Sequence, residues 1–251
     1  MSGHSKWAKV KHFKGAIDAK RGRIFSKLSR EIIVAAKSGG GEPKLNARLR
    51  QAIDAAKAQN MPNDTIERAI KKGSGELGGE TIIEVTYEGY APGGAALLIE
   101  CVTDNKNRTS ADIRSIFTRN HGSLGTPGSV AHLFARKGEI RVPFSGVSEE
   151  ALLDAALDAG ADDVTLEGEE HVVVTAPDQL FAVGDALKAK GITAITQQLV
   201  QVPLMTITVT EAATAAQVVR LYEALDELDD VQNVHANFAI PDEVMEQLHA
   251  H

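Results

Sequence analysis

The apolar residues of this chain change their spacing once, around Gly73-Ser-Gly-Glu-Leu-Gly-Gly79, and that change separates two kinds of fold. Before it they recur every three or four residues; after it, short alternating runs are interleaved with helical ones. Ile24, Phe25, Leu28, Ile32 and Ile33 predict a helix over residues 15–37, stopped by Ser38-Gly39-Gly40-Gly41-Glu42-Pro43. Leu45, Leu49, Ile53 and Ala56 predict a second helix over 44–59. Asp64-Thr65-Ile66-Glu67 reads as a capping box opening a third over 64–72, with Lys71 and Lys72 suited to its negative end. Gly73, Gly75 and Gly78 also spell G-x-G-x-x-G, but a dinucleotide fingerprint follows a strand and opens a helix, whereas this one follows a helix. It reads as a linker.

Beyond it, 81–87 and 95–103 read as strands, then a helix at 109–120 and a strand at 130–135. Arg136-Lys137-Gly138 reads as a turn into strand 139–142, helix 149–159, strands 163–167 and 171–175, helix 178–190 and strand 194–202. That β-α-β-β-α-β order is ferredoxin-like. After Pro203 come a strand (205–210), a helix (212–228) and a strand (231–238). Residues 80–136 alone offer one helix to cover three strands, a poor core, so the last elements are expected to complete that sheet. The expected fold is α+β and multidomain. It has a basic helical domain (1–75), a discontinuous α+β domain (80–136 and 204–240), and a ferredoxin-like α+β domain (137–203) inserted into it. Four consecutive independent units are the alternative.

The net charge of −7 conceals a segregation. Met1 to Gly75 carries 17 Lys and Arg against 6 Asp and Glu, a net of +11, and Glu76 to His251 carries 10 against 28, a net of −18. One surface is therefore expected to meet polyanions and another to avoid them. With 43% apolar and 24% charged residues the composition is that of a globular protein. No apolar run approaches the roughly 18 residues a membrane span needs, and the polar, basic start does not resemble a secretory signal. The single cysteine, Cys101, excludes an internal disulfide and a multi-cysteine zinc site. A cytoplasmic monomer is expected, without cofactor or metal.

Lys6, Lys9, Lys11, Lys14, Lys20, Arg21, Arg23, Lys27 and Arg30 face one acid, Asp18, in the first thirty residues. Lys20, Arg23, Lys27 and Arg30 fall at spacings of three, four and three, forming a stripe beside the apolar Ile24, Leu28 and Ile32. Such a helix can bury one face and offer cations to solvent, where each phosphate neutralised releases counterions. Trp7 and Phe13 can stack on unpaired bases or pin the tail to the core, the ordinary duty of a lone Trp. Asn105, Lys106, Asn107, Arg108 and Thr109 form a second candidate, a polar strand end before a helix that can bind an anion through free backbone N–H groups. Arg114 and Arg119 would extend it, and ordinary turn and cap chemistry is the competing reading.

The start Met-Ser-Gly-His-Ser-Lys-Trp-Ala-Lys-Val-Lys-His, the Tyr87-Glu-Gly-Tyr-Ala-Pro-Gly-Gly94 turn, Thr103-Asp-Asn-Lys-Asn-Arg-Thr109 and Asn120-His-Gly122 resemble the YebC/PmpR family over essentially the full length. Ala91 stands where that family's turn is expected to have glycine. The resemblance marks Gly3 to Lys14 and Asp104 to Thr109 as family-typical. It implies a helical domain followed by two α+β domains, one inserted into the other. It also implies a transcriptional regulator that binds DNA, while mitochondrial relatives activate translation and bacterial ones have been linked to the ribosome.

DNA is therefore the expected partner, RNA or the ribosome the alternative, and a basic protein can dock on the acidic C-terminal half, which carries Glu149, Glu150, Asp154, Asp158, Glu211, Glu223, Asp226 and Glu227. Catalysis is not expected. No phosphate-binding G-x-x-x-x-G-K-[ST] loop, G-x-S-x-G elbow or H-E-x-x-H pair is present, and Cys101 falls in a strand that reads as buried.

Overall fold

The structure is a computed structural model that describes residues 17–78 and 82–249. Three helices come first: α1 (Ile17–Gly39), α2 (Ala47–Ala58) and α3 (Asn63–Gly73). Ile32, Ala35, Leu49, Ala56, Ile66 and Ala69 form their common core. The apolar period of the sequence thus becomes one buried face per helix. Asn46 joins the first two: its Oδ1 accepts from the Leu49 N–H at 3.0 Å, and its Nδ2 donates to the carbonyls of Ala35 and Gly40 at 2.7 and 2.8 Å. The capping box expected at Asp64–Glu67 does not form. Pro62 is the cap, its carbonyl accepting from Thr65 and Ile66, so Asp64 falls inside the first turn. Gly73, expected both to close the third helix and to open the linker, ends α3. A Cβ there would strike the Ile33 carbonyl and Ala36, so this glycine lets α3 close on α1.

The first sheet has the order β3-β1-β2-β9, with β1 (Ile83–Tyr90), β2 (Ala96–Thr103), β3 (Ser123–Leu124) and β9 (Val231–Ala236) all antiparallel to their neighbours. Its last strand arrives from the far end of the chain. Helices α4 (Lys106–Arg119) and α7 (Ala212–Asp226) cover one face, burying Leu97, Ile99, Ile113, Phe117, Leu221 and Leu225. On the other face Val102, with Ile82 just before β1, packs into the core of the three helices. Ala96 and Leu98 meet Val130 and Phe134. The strand expected at 205–210 does not join this sheet. Only Ile207–Thr208 (β8) is extended, paired in parallel with Phe238–Ala239 (β10).

Between them lies the second sheet, β5-β6-β4-β7, built from β4 (Phe134–Pro143), α5 (Glu149–Asp158), β5 (Asp163–Glu167), β6 (Glu170–Thr175), α6 (Leu180–Ala189) and β7 (Thr196–Pro203). With β4 counted as its first strand the order is the ferredoxin-like 4-1-3-2. The expected turn at Arg136-Lys137-Gly138 is absent, because β4 runs straight through it and pairs with β7 from Phe134 to Arg141. Gly138 has a different purpose. A Cβ there would collide with Thr175 and Leu180, so its absence lets α6 settle onto the strand. A final helix, α8 (Asp242–His249), had no counterpart in the sequence reading.

The Tyr87–Gly94 segment proves to be a structural clamp. Glu88 is buried, and its carboxylate accepts from the backbone N–H groups of Gly128, Val130 and Ala131 at 2.6, 2.7 and 2.8 Å. Burial alone would raise its pKa, but those three donors and nearby His132 outweigh it and hold the carboxyl below its ordinary value. Tyr90 adds a hydrogen bond from its hydroxyl to the Ser129 carbonyl at 2.8 Å. Ala91 sits at φ −80°, ψ 166°, extended backbone that needs no glycine.

Glu88→Gln should therefore lower the stability by about 1.5–3 kcal/mol at neutral pH, since an amide cannot accept from all three donors. Because the folded pKa is depressed, the carboxylate's contribution is complete above about pH 4.3 and is lost as pH falls through the lowered value. Urea unfolding at neutral and acid pH should show wild type losing more stability on acidification than the variant. Parallel losses would contradict the clamp.

Candidate nucleic-acid interface

The cationic stripe of α1 does not simply face solvent. Arg23 pairs with Glu227 at 3.3 Å, Lys27 with Asp226 at 2.9 Å, and Arg30 with Asp230 at 2.9 Å. Lys27 also donates to the Asp226 carbonyl at 2.9 Å. The three acids occupy the C-terminal end of α7 and the turn into β9, so the helical domain is latched to the corner of the α+β domain. Carboxylates at the negative end of a helix are unfavourable unless cations compensate them, and the cations here come from almost 200 residues earlier in the chain.

Asp230 is the hub of that corner. Its side chain is 9% exposed. Oδ1 takes Arg30, while Oδ2 takes Arg108 at 2.9 Å, the Thr109 hydroxyl at 2.7 Å and the Thr103 hydroxyl at 3.1 Å. Its backbone carbonyl accepts from the Val102 N–H at 2.8 Å. Burial pushes its pKa up, but hydrogen bonds from Arg108 and Thr109 and the charges of Arg30 and Arg108 prevail and bring it down. One carboxylate thus joins α1, the end of β2 and the start of α4. The outer pairs are different: Glu227 is 65% and Asp226 45% exposed, so solvent screens them.

The anion-binding loop expected at Asn105–Thr109 is absent as a loop. Helix α4 begins at Lys106, three residues earlier than the pattern predicts, because Asn105 caps it by accepting from the Arg108 N–H at 3.1 Å. Arg108 is held by Asp104 at 2.8 Å as well as by Asp230, and Thr109 is buried. The cap reading therefore describes these residues; Lys106 and Asn107 alone among the five remain exposed without such a tie. Further along, an open depression on α4 is lined by Asn107, Ser110, Ala111, Arg114, Ser115, Thr118 and Arg119.

Lys6, Trp7, Lys9, Lys11 and Lys14 lie outside the described residues, and Lys20 and Arg21 have only their backbone described, in the first turns of α1. Lys44, Arg50, Lys57, Arg68, Lys71 and Lys72 are exposed on α2, α3 and the adjoining loop. The sequence placed Asp226 and Glu227 on a surface for a basic partner, but with Asp230 they receive this chain's own α1 cations. Asp226, Glu227, Asp229 and Asp230 crowd the end of a helix that has no basic residue in its last turn, the one local sign that cations must come from elsewhere.

The inserted domain presents little to a nucleic acid. Residues 137–203 carry 4 Lys and Arg against 12 Asp and Glu. Away from its helices, β4 and β6 show Lys137, Glu139, Arg141 and Val174, with Val172 buried and Arg141 tied to Glu139, Glu167 and Glu170. No aromatic ring stands there to stack a base, as RNA-binding sheets of this topology require. Cys101 is buried in β2, where burial and the neighbouring Asp230 and Glu100 push its thiol up to about 12. Among the described residues no three His, Cys, Asp or Glu gather to hold a metal, and no helix is long and apolar enough to cross a membrane.

Two family models match the chain: the TACO1/YebC protein N-terminal domain over residues 5–76, and the TACO1/YebC second and third domain over residues 82–238. A probable transcriptional regulatory protein of Akkermansia muciniphila is 52% identical, covering 99% of this chain and 100% of its own. One of Syntrophus aciditrophicus is 52% identical with full coverage of both chains. The crystal structure of a conserved hypothetical protein from Aquifex aeolicus is 51% identical, with a TM-score of 0.87 over 94% of this chain and 97% of that one.

The latch should show a steep gradient of energies. Asp230→Ala leaves the half-buried Arg30 without its carboxylate and Arg108 with Asp104 alone, and should cost about 3–5 kcal/mol, whereas Glu227→Gln removes a screened surface pair and should cost under about 1 kcal/mol. Comparable losses in urea unfolding would mean that Asp230 is not the hub.

Proposed function

The chain belongs to the TACO1/YebC family, and on that premise we propose that it is a nucleic-acid-binding regulator of gene expression, acting as a DNA-binding transcriptional regulator. The observation that carries the reading is the segregation of charge, +11 in the first 75 residues against −18 in the rest. Relatives that match from end to end bear the name probable transcriptional regulatory protein, which agrees with it. Phosphates are gripped by the basic tail and the first turns of α1. The pairs from Arg23 to Arg30 fix α1 against the α+β body, so that the start of the helix projects from a rigid base. The net charge of the acidic remainder disfavours contact with the phosphate backbone over most of its surface.

The protein acts by binding rather than by catalysis, and it does so in the cytoplasm. A thiol as deeply buried and as weakly acidic as that of Cys101 makes a poor nucleophile, which supports the first statement. The lack of an apolar membrane-spanning helix among the described residues agrees with the second.

The test is the salt dependence of duplex DNA binding by the full chain. Replacing Lys6, Lys9, Lys11 and Lys14 with Ala should flatten the plot of log affinity against log salt by up to about 3.6, at roughly 0.9 for each phosphate no longer neutralised. A slope that does not move would remove the tail from the interface. Absence of any affinity for duplex DNA at low salt would remove the proposed function.

A further inference from the structure

We propose that the outer face of α4 is a second phosphate-gripping surface, which docks the backbone of the same duplex DNA. The proposal rests on the reading of the protein as DNA-binding and adds a site to it. Helix α4 carries Lys106, Arg108, Arg114 and Arg119 against the single acid Asp112, a basic island within a stretch of net −18. Arg108 is consumed by Asp104 and Asp230. Arg114 and Arg119 are exposed and have no carboxylate partner among the described residues, unlike Arg23, Lys27 and Arg30.

The helix is amphipathic in a particular way. Thr109, Ile113 and Phe117 are buried against the sheet. The opposite side shows Asn107, Ala111, Arg114, Ser115 and Thr118, with Ser110 and Arg119 flanking them, and together these seven line the open depression. The side chains are small or are hydrogen-bond donors, and none is a carboxylate. From Asn107 to Thr118 the face runs roughly 16 Å, at about 1.5 Å per residue, long enough to follow several successive phosphates of one strand. Small residues between the arginines let a sugar–phosphate backbone approach the helix closely, while hydroxyls and an amide supply neutral donors.

Two further features suit a docking surface. The Asn105 cap and the anchoring of Arg108 hold α4 rigid, so little ordering is required on binding. The same Asp230 carboxylate that holds Arg108 holds Arg30, so α4 and α1 are fixed relative to each other through one side chain. A duplex that meets the start of α1 therefore finds the second surface at a set position.

The experiment measures binding of a fluorescent duplex by the full chain across a salt series, for wild type, Arg114→Ala with Arg119→Ala, and Arg114→Lys with Arg119→Lys. Thermal unfolding confirms that each is folded. The alanine pair should weaken binding about tenfold or more near 0.1 M salt and reduce the slope by about 1.8, two phosphates at roughly 0.9 each. The lysine pair should restore the slope. Wild-type affinity and slope in the alanine pair, with the tail-lysine variant still impaired, would overturn the α4 surface and leave the proposed function standing. Loss of binding to a structured RNA, with duplex DNA binding unchanged, would overturn the choice of DNA at this surface. If wild type itself does not bind the duplex, both readings fall.

Discussion

A buried carboxylate surrounded by four donors organises this molecule. Asp230 lies at the turn into β9, where the chain returns to the first sheet after the inserted domain, and its oxygens are claimed by α1, β2 and α4 at once. Without those partners an ionised carboxylate would not tolerate such burial. With them, the partly desolvated Arg30 gains its carboxylate and Arg108 gains a second one beside Asp104. The helical domain, the first sheet and its covering helix share one electrostatic joint, and the position of α1 on the body follows from it.

That joint gives the basic stripe a different meaning. Cations at helical spacing beside an apolar face are equally suited to a phosphate backbone and to a row of carboxylates. Arg23, Lys27 and Arg30 have found carboxylates within their own chain, in a graded series from screened Glu227 to buried Asp230. The outermost pairs are weak enough for a polyanion to compete with them, while the innermost is part of the fold. Among the described residues, exposed cations without a carboxylate partner remain on α2, α3 and the adjoining loop and on the outer side of α4.

Glycines and turn residues show where local rules yield to packing. Gly73, expected at a helix end and linker start, and Gly138, expected in a turn, are both required because a neighbouring backbone or helix comes too close for a Cβ. Asn105 gives the opposite case. Its capping propensity is a local property, legible in the residue itself, but how far it extends α4 depends on the core that Thr109, Ile113 and Phe117 enter. Similarly, the Glu88 clamp joins residues about 40 positions apart, a distance at which no local pattern speaks.

The helical start, the α+β remainder, the β-α-β-β-α-β insertion and the return of the last strand all follow from the order of residues, because apolar period and the need to cover each sheet are readable along one dimension. The gathering of positive charge at one end follows from it too. Which of those cations are spent on the fold was settled in three dimensions. Ion pairing depends on distances in space, and Arg30 and Asp230 lie 2.9 Å apart there while standing near opposite ends of the chain.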